Sequence, residues 1–220
     1  MNLEHARLSF DDVSSPDGEP TFTSNRHSTR PRPSRAEIEQ AVRTLIASTG
    51  DDPDREGLRD TPGRVVRAYA EWFAGYHEDP VALLERVFHE AEDYDDTVLL
   101  RDIPLVSTCE HHLAPITGKA HIAYRPNRRV VGISKLSRLV QVYSRRLQLQ
   151  ERLTSQIAHA LDDVLKPKGV AVVVEASHGC MSTRGVNQHG VSMVTKCFLG
   201  EFKADRELRR ELADTLRLGS

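Results

Sequence analysis

The predicted fold depends first on residues 133–165, which read ISKLSRLVQVYSRRLQLQERLTSQIAHALDDVL. Apolar residues recur there every three or four positions, which is the spacing of one face of a helix, and a break near Gln148 separates two such patterns. The first pattern comprises Leu136, Leu139, Val140, Tyr143 and Leu147, and the second comprises Leu153, Ile157, Leu161 and Val164. Two helices are therefore expected to follow each other in the middle of the chain.

Stretches that alternate apolar and polar residues flank this pair of helices on both sides. Before the helices, residues 115–126 and 130–133 look like strands joined by a turn at Asn127. After them, residues 169–176 and 191–202 have the same character. The order β-β-α-α-β-β predicts an α+β fold, in which an antiparallel four-stranded sheet carries two helices on one face.

The first third of the chain is expected to divide into a tail and a helical part. Residues 1–34 are polar and rich in serine and proline, so they cannot bury enough apolar surface to offset the entropy of ordering. Helical periodicity begins near Arg35, and Gly50 ends the first helix. Thr61 is expected to cap a second helix, with Pro62 at its first position. A disordered tail followed by helices is the expectation.

These patterns also give the expected boundaries. A short third helix over residues 80–88 places a helical subdomain at residues 35–100. Residues 101–220 then form a second domain. Its charged last stretch, residues 205–218, is expected to be an exposed helix.

The composition excludes several classes of protein. Of the 220 residues, 39% are hydrophobic and 28% are charged, and no apolar run approaches the roughly 18 residues that a membrane span needs. No secretory signal is visible, and three cysteines are too few for a disulfide framework. A net charge of −2 is unlike that of a general nucleic-acid-binding protein. We therefore expect a cytoplasmic protein that binds neither membranes nor nucleic acids.

Two segments combine cysteine with histidine as metal sites do. One is CEHH, from Cys109 to His112, and the other contains His178 and Cys180. A catalytic zinc needs three protein ligands and an open position, which Cys109, His112 and Cys180 would provide. Taken singly, such residues are more often small buried side chains or surface histidines. Two such segments, each at a strand end, favour the metal site.

The other histidines and the third cysteine differ in their expected roles. His111 and His178 would lie beside the ion, where a side chain that titrates near neutral pH can move protons. His121 is expected to be an ordinary strand residue. Cys197 lies within an alternating strand without a nearby histidine, so a structural role is expected for it.

A basic stretch lies between the two Cys/His segments. Residues 125–150 hold seven bases and no acid, whereas residues 76–102 hold nine acids and two bases. Such a run is often a solvated helix face, but it also suits a small phosphorylated ligand. Ser134, Lys135 and Arg138 open a helix after a glycine, where free N–H groups and the helix dipole favour an anion. The spacing is not that of a Walker A loop.

Gln150 and Glu151 stand at the start of the second helix. An acidic side chain can simply favour a helix N-terminus at this position. The alternative is that the Glu151 carboxylate accepts hydrogen bonds from N1–H and the 2-amino group of a guanine, with Gln150 assisting. The residues by themselves leave both interpretations open.

Four stretches together resemble the zinc-dependent GTP cyclohydrolase I family. They read STCEHHLAPITGKAHIAY from Ser107, VGISKLSRLV from Val131, YSRRLQLQERLT from Tyr143 and HGCMSTRGV from His178. The similarity extends from about Arg35 to Phe202, and its motifs are highly specific. The residues before Arg35 lie outside it.

This resemblance implies a fold, an activity and an assembly. The fold would be the tunnelling fold with an N-terminal helical part, so that residues 101–220 form the catalytic domain. The activity would be the conversion of GTP and water to 7,8-dihydroneopterin triphosphate and formate, the first step of folate and pterin synthesis. The assembly would be a toroidal homodecamer of two pentamers, with one zinc ion per subunit and active sites between subunits.

The resemblance also assigns roles to residues, position by position. The implied zinc ligands are Cys109, His112 and Cys180, and the implied acid/base pair is His111 and His178. The implied triphosphate contacts are Ser134, Lys135, Arg138 and Arg184, the guanine contacts are Gln150 and Glu151, and Arg64 reaches a neighbouring subunit's triphosphate. Gly179, Ser182 and Thr183 depart from residues common in the family, but none of them is an implied site residue.

Two other interpretations compete with this one. A different catalyst on the same fold, such as a relative of pyruvoyl-tetrahydropterin synthase or of the queuosine-pathway enzymes, would use other metal ligands or a thioimide-forming cysteine. An inactive zinc-stabilised scaffold would normally have four protein ligands, whereas this chain offers three and two further histidines. Two cysteines and one histidine accept zinc or iron, so the residues leave the identity of the ion open.

Overall fold

The computed structural model describes residues 32–85, 87–88, 94 and 96–217, with residues 87–88 described as backbone. The expected tail, residues 1–34, lies outside the described residues except for its last three positions. None of the helices in the described part of the chain is long and apolar enough to cross a membrane.

The secondary structure elements are numbered in chain order. The helices are α1 (Arg35–Ser48), α2 (Thr61–Trp72), α3 (Pro80–Leu84), α4 (Ile133–Ser144), α5 (Gln150–Leu165), α6 (Gly179–Ser182), α7 (Glu201–Ala204) and α8 (Arg206–Arg217), with a 3-10 helix at Ala74–His77. The strands are β1 (Val87–Phe88), β2 (Val98–Cys109), β3 (Pro115–Arg125), β4 (Val130–Val131), β5 (Leu147–Gln148), β6 (Gly169–His178) and β7 (Met193–Gly200).

The main sheet has the strand order β5-β2-β3-β6-β7. Its four long strands pair antiparallel, and the short strand β5 pairs parallel to β2. Helices α4 and α5 pack on one face of this sheet, α4 against β2 and α5 against β6 and β7. The predicted α+β order β-β-α-α-β-β, which the tunnelling fold has, is therefore confirmed.

The core lies between this sheet face and the two helices, because alternate strand residues point towards them. Ile103 and Leu105 of β2 are 4% and 1% exposed, and they belong to the same buried cluster as Leu136 of α4 and Leu153 of α5. The apolar residues predicted for the first central helix are buried as expected, except that Leu147 lies beyond its end, in β5.

The predicted strand over residues 130–133 is wrong in its length and in its partner. Only β4 is extended there, and it pairs antiparallel with β1 rather than with the main sheet. The chain is already helical at Ile133, where α4 begins. The third helix is also shorter than the predicted 80–88, since it ends at Leu84 and β1 follows it.

The first strand of the main sheet, β2, is absent from the predicted strands. Its alternation is interrupted at Asp102, which adopts a left-handed φ of 58°, and the pairing register with β3 shifts between Leu100 and Ile103. Such a β-bulge inserts an extra residue and hides the period of two in the sequence. The strand begins at Val98, which is three residues before the expected domain boundary at 101.

The last strand of the sheet ends earlier than predicted. The prediction extends it over residues 191–202, whereas β7 stops at Gly200, which has a φ of 55°. A Cβ atom at this position would lie 2.3 Å from the carbonyl oxygen of Lys168, so the turn requires glycine. Phe202 therefore lies in α7, where it is fully buried, and the predicted exposed C-terminal helix follows as α8.

The N-terminal helices form where the sequence predicts them. Ser34 caps α1, and its hydroxyl accepts a hydrogen bond from a backbone N–H in the first turn. Asp60, rather than Thr61, takes the capping position of α2. Helices α1 and α2 pack against each other, yet α1 buries none of its residues and Leu45 is 66% exposed.

Candidate metal and substrate site

Strand pairing brings the two Cys/His segments to one edge of the sheet. Ile116 of β3 pairs with Ser107 of β2 on one side and with His178 of β6 on the other. Because β3 runs antiparallel to both neighbours, the C-terminal ends of β2 and β6 lie at the same edge of the sheet, on either side of the start of β3. Cys109 is the last residue of β2, and Cys180 follows the end of β6 in α6.

The three predicted ligands lie together at this edge. The Sγ atoms of Cys109 and Cys180 and a ring nitrogen of His112 all lie within 4.8 Å of one another. His112 Nδ1 is 3.9 Å from Cys109 Sγ. A tight turn makes this possible, since the N–H of Leu113, at a φ of 54°, donates to the Cys109 carbonyl at 2.9 Å. We call these three residues the metal cluster.

The donor atoms of the metal cluster suit zinc. Two thiolates and one imidazole are ligands that zinc binds readily, and three protein ligands are typical of a catalytic site. In the described part of the chain, no fourth histidine, cysteine or carboxylate joins the cluster. Cys109 is buried, Cys180 is half-buried and His112 is exposed, so the cluster opens to solvent on one side.

The electrostatic surroundings of the Cys180 thiol follow from its place in the metal cluster. Burial, and after it the neighbouring Cys109, raises the pKa of the Cys180 thiol. A divalent cation would stabilise the thiolates and offset this shift. Cys197 lies on β7 outside the metal cluster, and burial raises the pKa of its thiol as well. Its position agrees with the structural role expected for it.

His178 is held from the first turn of α5. Its Nε2 lies 2.8 Å from Oε1 of Gln150, whose side chain is 1% exposed. The Gln150 amide nitrogen donates to the backbone carbonyls of Val174 and Met193, at 3.1 and 2.9 Å. Burial lowers the pKa of His178, and the nearby Glu151 carboxylate opposes this shift. The carboxamide expected to contact guanine is therefore engaged within the protein.

The segment between the ligands is also tied to α5, by two residues to which the sequence analysis gave no role. The guanidinium of Arg152 donates to both carboxylate oxygens of Glu110, at 2.7 and 2.9 Å. The Glu110 N–H donates to the carbonyl of Gln148 at 3.1 Å. His111 is exposed, and its Nε2 lies 3.9 Å from the same Glu110 carboxylate. Both residues lie within motifs that the sequence analysis singled out, but they are 42 positions apart and no local pattern links them.

Three predicted phosphate contacts lie apart from the metal cluster within one chain. Ser134, Lys135 and Arg138 occupy the first turns of α4, which runs towards β5. Strand β5 lies beside the end of β2, where Cys109 pairs with Gln148. The helix rise of 1.5 Å per residue therefore separates the start of α4 from this edge by roughly 15 Å.

The remaining predicted contacts fall into two groups. Glu151 lies near enough to act electrostatically on His178, and Arg184 does the same to the Cys180 thiol, so both lie close to the metal cluster. Arg64 is exposed on α2, which packs against α1 and the following 3-10 helix rather than against the strands that carry the cluster. The chain alone does not bring Arg64 to the site.

Comparisons with known proteins agree with this geometry. The family model described as GTP cyclohydrolase I matches residues 38–217. The chain is 56% identical over 178 residues to the GTP cyclohydrolase 1 of Maricaulis maris (strain MCS10), which covers 81% of this chain and 87% of that protein. It is 58% identical over 178 residues to the GTP cyclohydrolase 1 of Hyphomonas neptunium (strain ATCC 15444), covering 81% and 86%.

A solved structure with partial similarity is an archaeosine synthase described as QueF-Like, in its apo form. It is 20% identical, with a TM-score of 0.40, over 47% of this chain and 93% of that one. This likeness adds nothing to the assignment, which rests on the family match and on the identity to the two relatives along most of both chains. The chain belongs to the GTP cyclohydrolase I family of enzymes.

Proposed function

We propose that the chain opens the imidazole ring of GTP, releases C8 as formate and rearranges the remainder to 7,8-dihydroneopterin 3'-triphosphate. The observation that carries this proposal is the cluster of Cys109, His112 and Cys180 with His111 and His178 beside it. Ring-opening hydrolysis needs an activated water and proton-transfer groups in one place, and these residues supply both. Membership in the family supports GTP as the substrate and the first step of folate and pterin synthesis as the role.

The metal cluster would hold one zinc ion per subunit. When bound, the ion supplies a nucleophile by lowering the pKa of a coordinated water to near neutrality. The three side chains would hold the ion and would leave one side of it open to the substrate, since His112 is exposed. Iron fits the same donors, so metal analysis of protein purified without added zinc identifies the ion.

His111 and His178 are the proposed proton-transfer groups. Water adds to C8 of the guanine while one histidine protonates N7, and the imidazole ring opens. A second hydrolysis releases C8 as formate. The ribose then opens, undergoes an Amadori-type rearrangement and closes onto the freed amine as the pterin ring. His178 is held by Gln150 and His111 lies beside Glu110, so each histidine has its own protein partner.

Glu151 is the proposed guanine contact. Its carboxylate can accept from N1–H and from the 2-amino group at once, which is a match to two donors on one edge of the base. Adenine has no such pair of donors and would leave the carboxylate without partners. The exposure of the Glu151 side chain and its electrostatic effect on His178 support this assignment. Gln150 is proposed to act on the same site through His178.

The triphosphate is proposed to bind between subunits. Arg184 lies near the metal cluster of its own chain, whereas Ser134 and Lys135 lie roughly 15 Å, and Arg138 roughly 9 Å, before the end of α4 that leads to β5. A second copy of the chain would bring its α4 residues to the first copy's cluster, and Arg64 would come from another neighbour. This separation supports the proposed homodecamer of two pentamers, with active sites between subunits.

The domain organisation and cellular location belong to the same proposal. A helical subdomain over residues 35–100 precedes a catalytic domain over residues 101–220, with residues 1–34 as a tail. The cytoplasm is the proposed location, because Cys109 and Cys180 must remain reduced to bind a metal ion.

Incubation of the zinc-loaded protein with GTP tests the reaction. We expect formate together with a product that, after oxidation, fluoresces as a neopterin, and we expect neither from ATP. Formate without the fluorescent product would limit the activity to ring opening. Neither product from GTP would favour an inactive scaffold or a different catalyst on the same fold.

A further inference from the structure

The carboxamide of Gln150 has all of its polar groups engaged inside the protein. Its nitrogen donates to the carbonyls of Val174 and Met193 and lies 3.2 Å from the hydroxyl of Thr195. Its oxygen lies 2.8 Å from Nε2 of His178. Carbonyl oxygens only accept hydrogen bonds, so the amide nitrogen must face them and the amide oxygen must face the histidine.

This orientation determines which nitrogen of His178 carries the hydrogen. An amide oxygen only accepts, so Nε2 of His178 must donate and must be protonated. The neutral imidazole then has its lone pair at Nδ1. We propose that Gln150 is a positioning residue that holds His178 in the Nε2–H tautomer, so that the proton exchanged during catalysis is the one at Nδ1. This inference rests on the proposed role of His178 in the hydrolysis of GTP.

The surroundings of Gln150 make this orientation rigid. The side chain is 1% exposed, and its contacts come from β6 and β7 as well as from its own helix. Thr154, which is also 1% exposed, donates to the backbone carbonyl of Gln150 at 2.8 Å, and its hydroxyl lies 2.6 Å from the Thr195 hydroxyl that the carboxamide nitrogen approaches. A rotated carboxamide would place its oxygen against two carbonyl oxygens and leave buried groups unpaired, which is costly.

Gln150 and Glu151 therefore differ in function although they are neighbours. Glu151 is exposed and can meet the base, whereas Gln150 is 1% exposed and its carboxamide is turned towards His178 and the strands. A residue that contacts the base contributes to binding of GTP. A residue that positions a proton-transfer group contributes to the chemical step, so its loss lowers kcat while KM stays nearly unchanged.

Two substitutions at Gln150 and one matched control test this difference in the zinc-loaded protein. Gln150→Met keeps the length of the side chain but removes its hydrogen bonds, and we expect kcat to fall about 10- to 100-fold with KM for GTP within about twofold. Gln150→Glu keeps an oxygen that accepts from Nε2–H, and in its protonated form, which burial favours, its O–H can donate to one of the two carbonyls, so part of kcat should return. Gln156→Met removes another buried amide of α5, which is 4% exposed and bonded to Gln148, and should leave kcat within about twofold.

The tautomer of His178 is measured independently of turnover. Solid-state NMR on protein labelled with 15N-histidine, with the signal of His178 identified by its loss in a His178→Asn variant, distinguishes the two nitrogens. We expect the Nε2–H form in the wild type and in Gln150→Glu, and a mixture in Gln150→Met. An Nδ1–H form in the wild type, or a Gln150→Met variant with raised KM and unchanged kcat, would overturn the proposal.

The design separates this proposal from the proposed function. A wild-type protein that makes no formate from GTP would refute the function, while the NMR spectrum would still show whether Gln150 fixes the tautomer. If Gln150→Met does not fold, the wild-type spectrum and the kcat of Gln150→Glu decide the matter, since both require an accepting oxygen opposite Nε2.

Discussion

The metal edge of the sheet and the α1–α2 pair differ in how completely one chain builds them. At the metal edge, which comprises the ends of β2 and β6 and the first turn of α5, His178 and Glu110 both have close partners on α5. In the α1–α2 pair, α1 buries no residue, Leu45 is 66% exposed and Arg64 faces solvent. The chain thus pre-organises its proposed chemistry, whereas Arg64 and the phosphate contacts of α4 are proposed to reach the site of another copy.

The largest effect is expected from removing a ligand at the metal edge. Cys180→Ser should lose the tightly bound ion and all measurable turnover, because two remaining ligands do not hold a catalytic zinc. Cys197→Ser, on β7 outside the metal cluster, should keep both. Metal content by atomic absorption and formate release measure the two properties. A full complement of zinc in Cys180→Ser would show that the third ligand is another residue.

The second effect separates ligands from proton-transfer groups within the metal edge. His111→Ala and His178→Ala should each lower kcat by about 100-fold or more while most of the metal stays bound. His112→Ala should lose the metal itself, because His112 belongs to the metal cluster. The same two measurements apply, and equal metal loss in all three variants would contradict the division of roles.

The third effect tests whether the metal edge and the start of α4 that serve one active site must come from different chains. Cys180→Ser and Lys135→Ala should each be nearly inactive, but protein refolded or co-expressed as an equal mixture should regain roughly a quarter of wild-type activity. That fraction is the chance that both copies contributing to one site are intact in a random assembly. Activity no higher than that of the separate variants would place both residues in one chain's site.

The fourth effect concerns base recognition at the metal edge. Glu151→Gln keeps the shape of the side chain but removes its charge and one acceptor, so GTP binding should weaken roughly 10- to 100-fold. Isothermal titration of the metal-free protein measures this without turnover. Comparable affinity of the wild type for ATP and GTP would contradict a carboxylate contact to guanine.

Phosphate contacts provide the matched control for that titration. Lys135→Ala and Arg184→Ala should weaken the binding of GTP far more than the binding of guanosine, because the proposed partners of both side chains are phosphates. Glu151→Gln should weaken the binding of GTP and of guanosine by the same factor. A penalty for Arg184→Ala that persists with guanosine would mean that Arg184 serves the base or the metal cluster instead.

The smallest effect is a dependence of stability on pH, away from the metal edge. His121 is 8% exposed, and its Nδ1 accepts the backbone N–H of Asp102 at 3.1 Å. Burial holds its pKa below the ordinary value of 6.5. The Asp102 carboxylate raises this pKa, the Lys119 ammonium lowers it and the Glu175 carboxylate raises it, in decreasing order of effect. As pH falls, His121 is therefore protonated in the unfolded chain before it is protonated in the folded chain. The contribution of neutral His121 to the free energy of unfolding is fully present above about pH 6.5 and declines below it.

His121→Asn tests this dependence because an amide oxygen can accept the same N–H and does not titrate. The thermal midpoint should fall less between about pH 7.5 and about pH 5.5 in the variant than in the wild type. The Asp102 carboxyl does not titrate between these two pH values, because Lys119 lowers its pKa from the ordinary 3.8. Equal falls in both proteins would assign the pH dependence to other groups.

What the sequence predicted well is local in character. The helical periods of α4 and α5 and the Cys/His segments each occupy a few consecutive residues, so residue type and spacing are enough to identify them. Strand β2 was missed because the bulge at Asp102 interrupts its alternation. The strand 130–133 was wrong because its four residues are divided between a two-residue strand and the start of a helix.

The partners of Gln150 and Glu110 lay beyond sequence reasoning for a different reason. Gln150 meets Val174 and Met193 only after β6 and β7 have paired beside α5. Glu110 and Arg152 are 42 positions apart, and a charge at either position is equally compatible with a solvated surface. The metal ligands were easier because few other arrangements use cysteine and histidine together.

The pairing of Ser107, Ile116 and His178 has a consequence for how the length of this chain can vary. Side chains in a strand alternate between faces, so deleting one residue of β3 beyond Ile116 would turn the rest of that strand, including the buried Ile122 and Tyr124, to the other face of the sheet. Insertions in residues 126–129 or 183–192 would leave that pairing intact. Natural length differences among relatives should therefore concentrate in these two connections, and β2, β3 and β6 should keep their lengths.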